Sequence, residues 1–115
     1  MKTKTLNIVF ILFIALSASA ALYHSAAFFY PVDKSPLWRH GVFIVVNTII
    51  IYGLLKRPTW FEWFIALLTL QQWYSHGNYL LKYWKEQHSI HWISAGVIVL
   101  LPLLLLCLII DRKNK

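Results

Sequence analysis

Long apolar runs without charged residues alternate with short polar segments along the chain. A run of about 20 apolar residues, at about 1.5 Å of helix per residue, is long enough to cross a bilayer. The pattern therefore predicts membrane-spanning helices over residues 6–30, 37–55, 60–76 and 90–110. The segments between them are short, which favours antiparallel neighbours. The predicted fold is an all-α integral membrane protein, with four transmembrane helices in an up-down bundle and one domain over residues 1–115.

The first apolar run has two interpretations. It follows two lysines, and Ala18-Ser19-Ala20 has the form of a signal-peptidase site. However, Lys, Arg, Asp and Glu do not occur between Thr5 and Val32, and a helix of that length spans a bilayer with some tilt. We favour an uncleaved first span that ends before Pro31.

Residues typical of helix N-termini precede the other three spans. Ser35 and Pro36 are suited to be the N-cap and the first-turn proline of the second helix. Thr59 and Glu62 have the spacing of a capping box for the third. Ser89 is the predicted N-cap of the fourth.

Two further signals concern the ends and interior of the last helices. Gly77-Asn78 predicts a C-cap, with residues 79–87 as a short amphipathic interfacial segment between helices 3 and 4; the alternative is a helix that bends there and continues. Pro102 should disturb the fourth span, because it leaves the carbonyl of Ile98 without its usual amide donor.

Composition supports the membrane assignment and limits the function. The chain is 59% hydrophobic and 13% charged, whereas soluble domains have about 45–50% apolar and 25% charged residues. We therefore expect the basic residues behind the formal charge of +7 to orient the helices and contact lipid headgroups, and not to bind nucleic acid. Seven of the 11 Lys and Arg residues would lie on the side of the two termini, which predicts cytoplasmic termini in an inner or plasma membrane. The single cysteine excludes paired-cysteine chemistry.

Histidines are the first candidates for chemistry. The predicted topology places all five at the outer side of the bundle: His24, His40, His76, His88 and His91. Imidazole is the commonest protein ligand for zinc, copper and haem iron. Three or four converging rings could hold a metal ion, and two from different helices could hold a haem. The cofactor stays open between a metal ion, a haem and none.

Other polar residues are predicted to line the same pocket: Arg39, Asn47, Gln72 and Ser75. Asn47 should lie about two turns below His40, and Gln72 about one turn below His76. The two amides would then meet at similar depth and orient the rings. Arg39 would neutralise a propionate, phosphate or carboxylate.

Each of these residues also has a purely structural interpretation. His76 in a last helical turn interacts favourably with the helix dipole. Glu62 can serve the capping box alone, and Arg39 can extend to the headgroups. Asn47 and Gln72 can hold helices together by hydrogen bonds worth about 0.6–2 kcal/mol each.

The length and the number of spans resemble those of the small multidrug-resistance transporters. That family relies on a membrane-embedded glutamate in its first helix, and the first helix here contains no acid, so its function is not transferred. We favour an accessory or interaction subunit of a membrane complex, because nearly the whole chain would offer aromatic and aliphatic surface to a protein partner. The alternatives are a haem- or metal-binding protein with redox or metal-dependent chemistry on the outer side, and a small transporter that forms a homo-oligomer.

Overall fold

The computed structural model describes residues 2–115, and this part of the chain is helical. It contains four α-helices: α1 Thr3–Ala26, α2 Leu37–Lys56, α3 Trp60–Gln87 and α4 Trp92–Lys113. The chain divides into two compact units, Met1–Pro58 and Thr59–Lys115. Helices α1, α2 and α4 are long and apolar enough to cross a membrane. The predicted all-α class is confirmed, and the protein has the composition of a membrane protein.

The N-terminal unit is an antiparallel pair of α1 and α2. Leu6 and Phe10 near the start of α1 are buried, as is Leu54 near the end of α2. Arg57 contacts Phe10 at this end of the helix pair, with its guanidinium carbon 4.7 Å from the centre of the Phe10 ring. It also donates a hydrogen bond of 3.3 Å to Asn7 Oδ1. Apolar burial and an arginine contact therefore fix the two helices at this end.

The C-terminal unit pairs α3 with α4, again antiparallel. Its buried apolar residues come from both helices: Phe61, Ile65, Leu104, Cys107 and Leu108. At the start of α3, Glu62 Oε1 lies 3.4 Å from Arg112 Nε at the end of α4. Farther along α3, Trp73 contacts Ile98. These contacts set the register of the two helices over most of the length of α4.

Helix α3 continues past Gly77-Asn78, so the predicted C-cap does not form and residues 79–87 are part of α3 rather than a separate segment. Within residues 2–115, positive φ occurs at Arg57 (50°) and His88 (53°), and Gly77 keeps helical geometry. A glycine C-cap works only when its backbone is left-handed. The aromatic rings of Tyr79 and Tyr83 pack against His91, and these contacts keep the segment helical until His88 ends it.

The helices α2 and α3 begin at the predicted residues, Leu37 and Trp60, but without the predicted side-chain caps. Pro36, with extended backbone angles, occupies the N-cap position of α2, and the Ser35 N–H donates 2.8 Å to Asp33 Oδ1. Thr59 has helical angles (φ −61°, ψ −32°), whereas a capping side chain needs an extended backbone. Glu62 therefore pairs with Arg112 instead of completing a capping box.

The remaining boundary differences have local causes. Helix α1 ends at Ala26, and a turn follows in which the Phe29 N–H donates 3.0 Å to the Ala26 carbonyl. Helix α4 begins at Trp92 and not at residue 90, because His91 and not Ser89 is its N-cap. The imidazole Nδ1 of His91 accepts a hydrogen bond of 3.3 Å from the Ser94 N–H, a role usually filled by Ser, Thr, Asp or Asn.

Candidate functional site

The N-terminal unit brings together four polar side chains, which we call the His24–His40 cluster: Tyr23, His24, Asp33 and His40. The Nδ1 atoms of His24 and His40 lie 2.8 Å apart and share a hydrogen bond. His40 Nε2 lies 3.0 Å from Asp33 Oδ1, and the Tyr23 hydroxyl donates 2.6 Å to Asp33 Oδ2. The cluster therefore ties the end of α1 and the connecting loop to the start of α2.

Burial distinguishes the two imidazoles of this cluster. His40 is 2% exposed, and both of its ring nitrogens have hydrogen-bond partners. His24 is half-buried, and its ring stacks on Phe43 with centres 5.4 Å apart. A cavity of about 260 Å³, lined by Phe28, Asp33 and His40 among others, opens beside the cluster. His40 is thus a buried group whose hydrogen bonds are satisfied, with a cavity of mixed polar and apolar lining next to it.

Asp33 supplies the negative charge of the cluster. A hydrogen bond from the Tyr23 hydroxyl, together with those from the Ser35 N–H and His40, lowers the pKa of the Asp33 carboxyl to about 2, although partial burial opposes the shift. Hydrogen bonds to a carboxylate favour its ionised form. Asp33 is consequently a carboxylate at neutral pH and acts only as an acceptor.

The C-terminal unit contains a second arrangement, the Ser94 cluster, formed by His76, His91 and Ser94. The Ser94 hydroxyl is fully buried and lies 2.9 Å from Nδ1 of both His76 and His91. His91 Nδ1 accepts a hydrogen bond from the Ser94 N–H, so this ring nitrogen carries no proton. The Ser94 hydroxyl then donates to His91 and accepts from Nδ1–H of His76. This places the ring proton of a neutral His91 on Nε2.

The other predicted pocket residues find partners close by in sequence. Asn47 is buried and donates 2.7 Å to the Phe43 carbonyl of its own helix. Gln72 is buried and donates to the neighbouring Gln71, which is exposed. Each amide thus has a hydrogen-bond partner within its own helix.

The last three predicted residues lie outside the two clusters. The Arg39 guanidinium carbon is 5.7 Å from the centre of the Phe43 ring, and Ser75 is half-buried on α3. His88 is exposed and has a left-handed backbone, as the residue that ends α3. We therefore assign His88 a role at the helix end.

The geometry does not support a metal or haem site. No group of three or more His, Cys, Asp or Glu side chains in residues 2–115 is placed to hold a metal ion. Two nitrogens on one tetrahedral zinc would stand about 3.3 Å apart, given bonds of about 2 Å, whereas the His24 and His40 nitrogens are at the hydrogen-bond distance of 2.8 Å. The histidines are not assigned as metal ligands.

Sequence reasoning missed Asp33, Tyr23 and the bridging role of Ser94. For Asp33 a signal existed, since it is the sole acidic residue before position 62 and lies in the loop next to the second helix. For Ser94 the spacing of three residues from His91 was the signal. Tyr23 had none, because its contact depends on how the loop folds back onto α1.

The chain was compared with known protein families, curated proteins and solved structures, and no match was found in any of the three comparisons.

Proposed function

We propose that this protein is an accessory or interaction subunit of a larger membrane assembly. In this proposal α1 to α4 all cross an inner or plasma membrane as an up-down bundle, with both termini cytoplasmic. The polar clusters near the starts of α2 and α4 then lie towards the outer side. The hydropathy of α1, α2 and α4 and the excess of basic residues on the side of the termini support this arrangement.

The span assigned to α3 rests on its pairing with α4. Contacts between the two helices run from Glu62–Arg112 at one end, through Trp73–Ile98, to His76–Ser94. A helix held in that register along a membrane-crossing α4 has to cross with it. The hydropathy of α3 is lower than that of α1, α2 and α4, and a span with this composition requires an explanation.

The outward face of α3 provides that explanation and carries the proposed function. Large side chains at helical spacing are exposed on this face: Trp63 (75%), Leu67 (66%), Leu70 (62%) and Tyr74 (77%). Gln71 is exposed among them. An amide and a phenol are costly to place in hydrocarbon but are common where a transmembrane helix contacts another helix. We infer that this face contacts a protein partner and not lipid.

Site-directed photocrosslinking in native membranes tests the proposal. A photoreactive amino acid at Tyr74 should give one discrete adduct with a second protein, and Gln71→Leu should reduce its yield several-fold. Leu22 on α1, which is 73% exposed, is a matched control position and should crosslink mainly to lipid. The proposal fails if both positions behave alike, if Tyr74 crosslinks within its own chain, or if the protein is recovered from mild detergent only as a stable monomer.

A further inference from the structure

The His24–His40 cluster forms an unbroken chain of hydrogen bonds from a tyrosine to a pair of imidazoles. The order is Tyr23 hydroxyl, Asp33 carboxylate, His40 ring and His24 ring, with separations of 2.6, 3.0 and 2.8 Å. Three parts of the N-terminal unit contribute: α1, the loop and α2. Each link fixes which atom carries a proton.

The Asp33 carboxylate determines where its neighbours carry their protons. Ionised Asp33 only accepts, so the Tyr23 hydroxyl and Nε2–H of His40 both donate to it. The bond between the two Nδ1 atoms needs one N–H and one lone pair. When both rings are neutral, His40 already carries its proton on Nε2, so Nδ1–H of His24 donates to Nδ1 of His40. Nε2 of His24 then carries a lone pair.

One added proton fits this arrangement without loss of a bond. A proton from water binds the Nε2 lone pair of His24 and forms an N–H bond there. The bridging proton can then lie on either Nδ1, so the two rings share the positive charge. A second proton would place N–H groups on both Nδ1 atoms at a separation of 2.8 Å, which removes the hydrogen bond and sets two like charges against each other.

The surroundings supply charge compensation and access. The charged and titratable groups that face the pair are Tyr23 from α1, Asp33 from the loop and Arg39 from α2. The Asp33 carboxylate offsets an imidazolium, whereas the positive charge of Arg39 opposes one. His24, which takes up the proton, is half-buried and so is partly exposed, and the cavity of about 260 Å³ lies on the other side of the pair, beside Asp33 and His40.

We propose that the His24–His40 pair, held by Asp33 and Tyr23, is a binding site for one proton at this end of the α1–α2 hairpin. Proton uptake leaves all its hydrogen bonds in place, and release follows the same path in reverse. Imidazole is the side chain best suited to reversible proton exchange with water. This activity does not depend on the accessory role proposed above.

Nitrogen-15 NMR of the full chain in lipid nanodiscs, with labelled histidine, tests the proposal without a substitution. Between pH 8 and pH 5 we expect uptake of one proton by the pair and a through-hydrogen-bond nitrogen–nitrogen coupling that persists across the titration. Exposed His88 serves as a comparison ring outside the pair. Uptake of two protons by the pair, or the absence of the coupling at every pH, would overturn the proposal.

Two substitutions separate proton binding from a purely structural role. Asp33→Asn should weaken proton binding by the pair about tenfold, because it removes the compensating charge. Glu86→Gln, in the other unit, is the matched control and should have no effect on it. Helicity measured by circular dichroism shows whether each variant is folded. If folded Asp33→Asn takes up its proton at the same pH as the unsubstituted chain, the proposal is wrong.

Discussion

Trp73 supplies a hydrogen bond that Pro102 removes from α4. Proline has no N–H, so the Ile98 carbonyl four residues earlier loses its helical donor. The indole N–H of Trp73, on the facing helix α3, donates 2.9 Å to that carbonyl. The Ile98 carbonyl, which has no donor within α4, therefore forms a contact between α3 and α4.

We predict that Trp73→Phe destabilises the protein by about 1–2 kcal/mol more in the native background than in a Pro102→Ala background. The alanine restores an N–H for Ile98, so the indole donor is then redundant, whereas loss of indole packing is common to both backgrounds. Thermal unfolding in detergent micelles, followed by circular dichroism, measures the four variants. Equal destabilisation by Trp73→Phe in the two backgrounds would show that the hydrogen bond contributes nothing to stability.

Asp33 should make stability depend on pH in the acid range. Its folded-state pKa is lowered to about 2, first by the Tyr23 hydroxyl and then by the Ser35 N–H and His40, whereas an unfolded Asp titrates near 3.9. The stabilisation is therefore complete above about pH 4 and is lost as the pH falls towards 2. Unfolding midpoints between pH 5 and pH 2 should fall less steeply in Asp33→Asn. Glu86→Gln is the control, and an unchanged slope in Asp33→Asn would contradict the assignment.

Some of these residue contacts follow from sequence and others do not. Covalent chemistry alone shows that Pro102 leaves Ile98 without a donor. The identity of the replacement, Trp73, depends on the register of α3 against α4. Asp33 likewise needs the fold of the loop before its contact with His40 is defined.

At the scale of elements, α3 shows the limit of local signals. Gly77 is followed by Asn78, a pair typical of helix ends, yet α3 extends to Gln87. Apolar periodicity predicts that a helix exists, whereas its end depends on tertiary contacts such as those of Tyr79 and Tyr83 with His91. The capping signal at Ser89 misplaced the start of α4 by two residues, and the side-chain caps predicted at Ser35 and Thr59 do not form.

Continuity of α3 leads to a prediction about Gly77. A Cβ added there meets no atom within 4 Å, and its φ is not positive. Gly77→Ala should therefore stabilise the protein by about 0.5–1 kcal/mol, because alanine loses less backbone entropy in a helix. Hydrogen exchange of the amides after position 77 should slow accordingly. Gly96→Ala, which also has open space in α4, is the matched control, and destabilisation by Gly77→Ala alone would indicate a left-handed C-cap.

At the scale of the whole molecule, side-chain contacts hold the two helices of each unit together at both ends. The His24–His40 contact and the Arg57–Phe10 contact hold α1 to α2, and Glu62–Arg112 and His76–Ser94 hold α3 to α4. The apolar runs predicted helices and the short connections predicted antiparallel neighbours. Hydrophobic patterning could not reveal that the histidines pair within each unit, because facing around a helix does not specify a partner.

The register of α3 against α4 predicts that both termini lie on one side of the membrane. If α3 crosses beside α4, the number of spans is even; if α1, α2 and α4 alone cross, the termini lie on opposite sides. Single cysteines at Lys4, Ser35, Ser89 and Lys113, in a Cys107→Ala background, can be labelled with a membrane-impermeant maleimide. We expect positions 35 and 89 to react from outside the cell, and positions 4 and 113 only after the membrane is opened. Labelling of position 113 but not position 4 from outside would show that α3 does not cross, and its exposed polar groups would then need no protein partner to cover them.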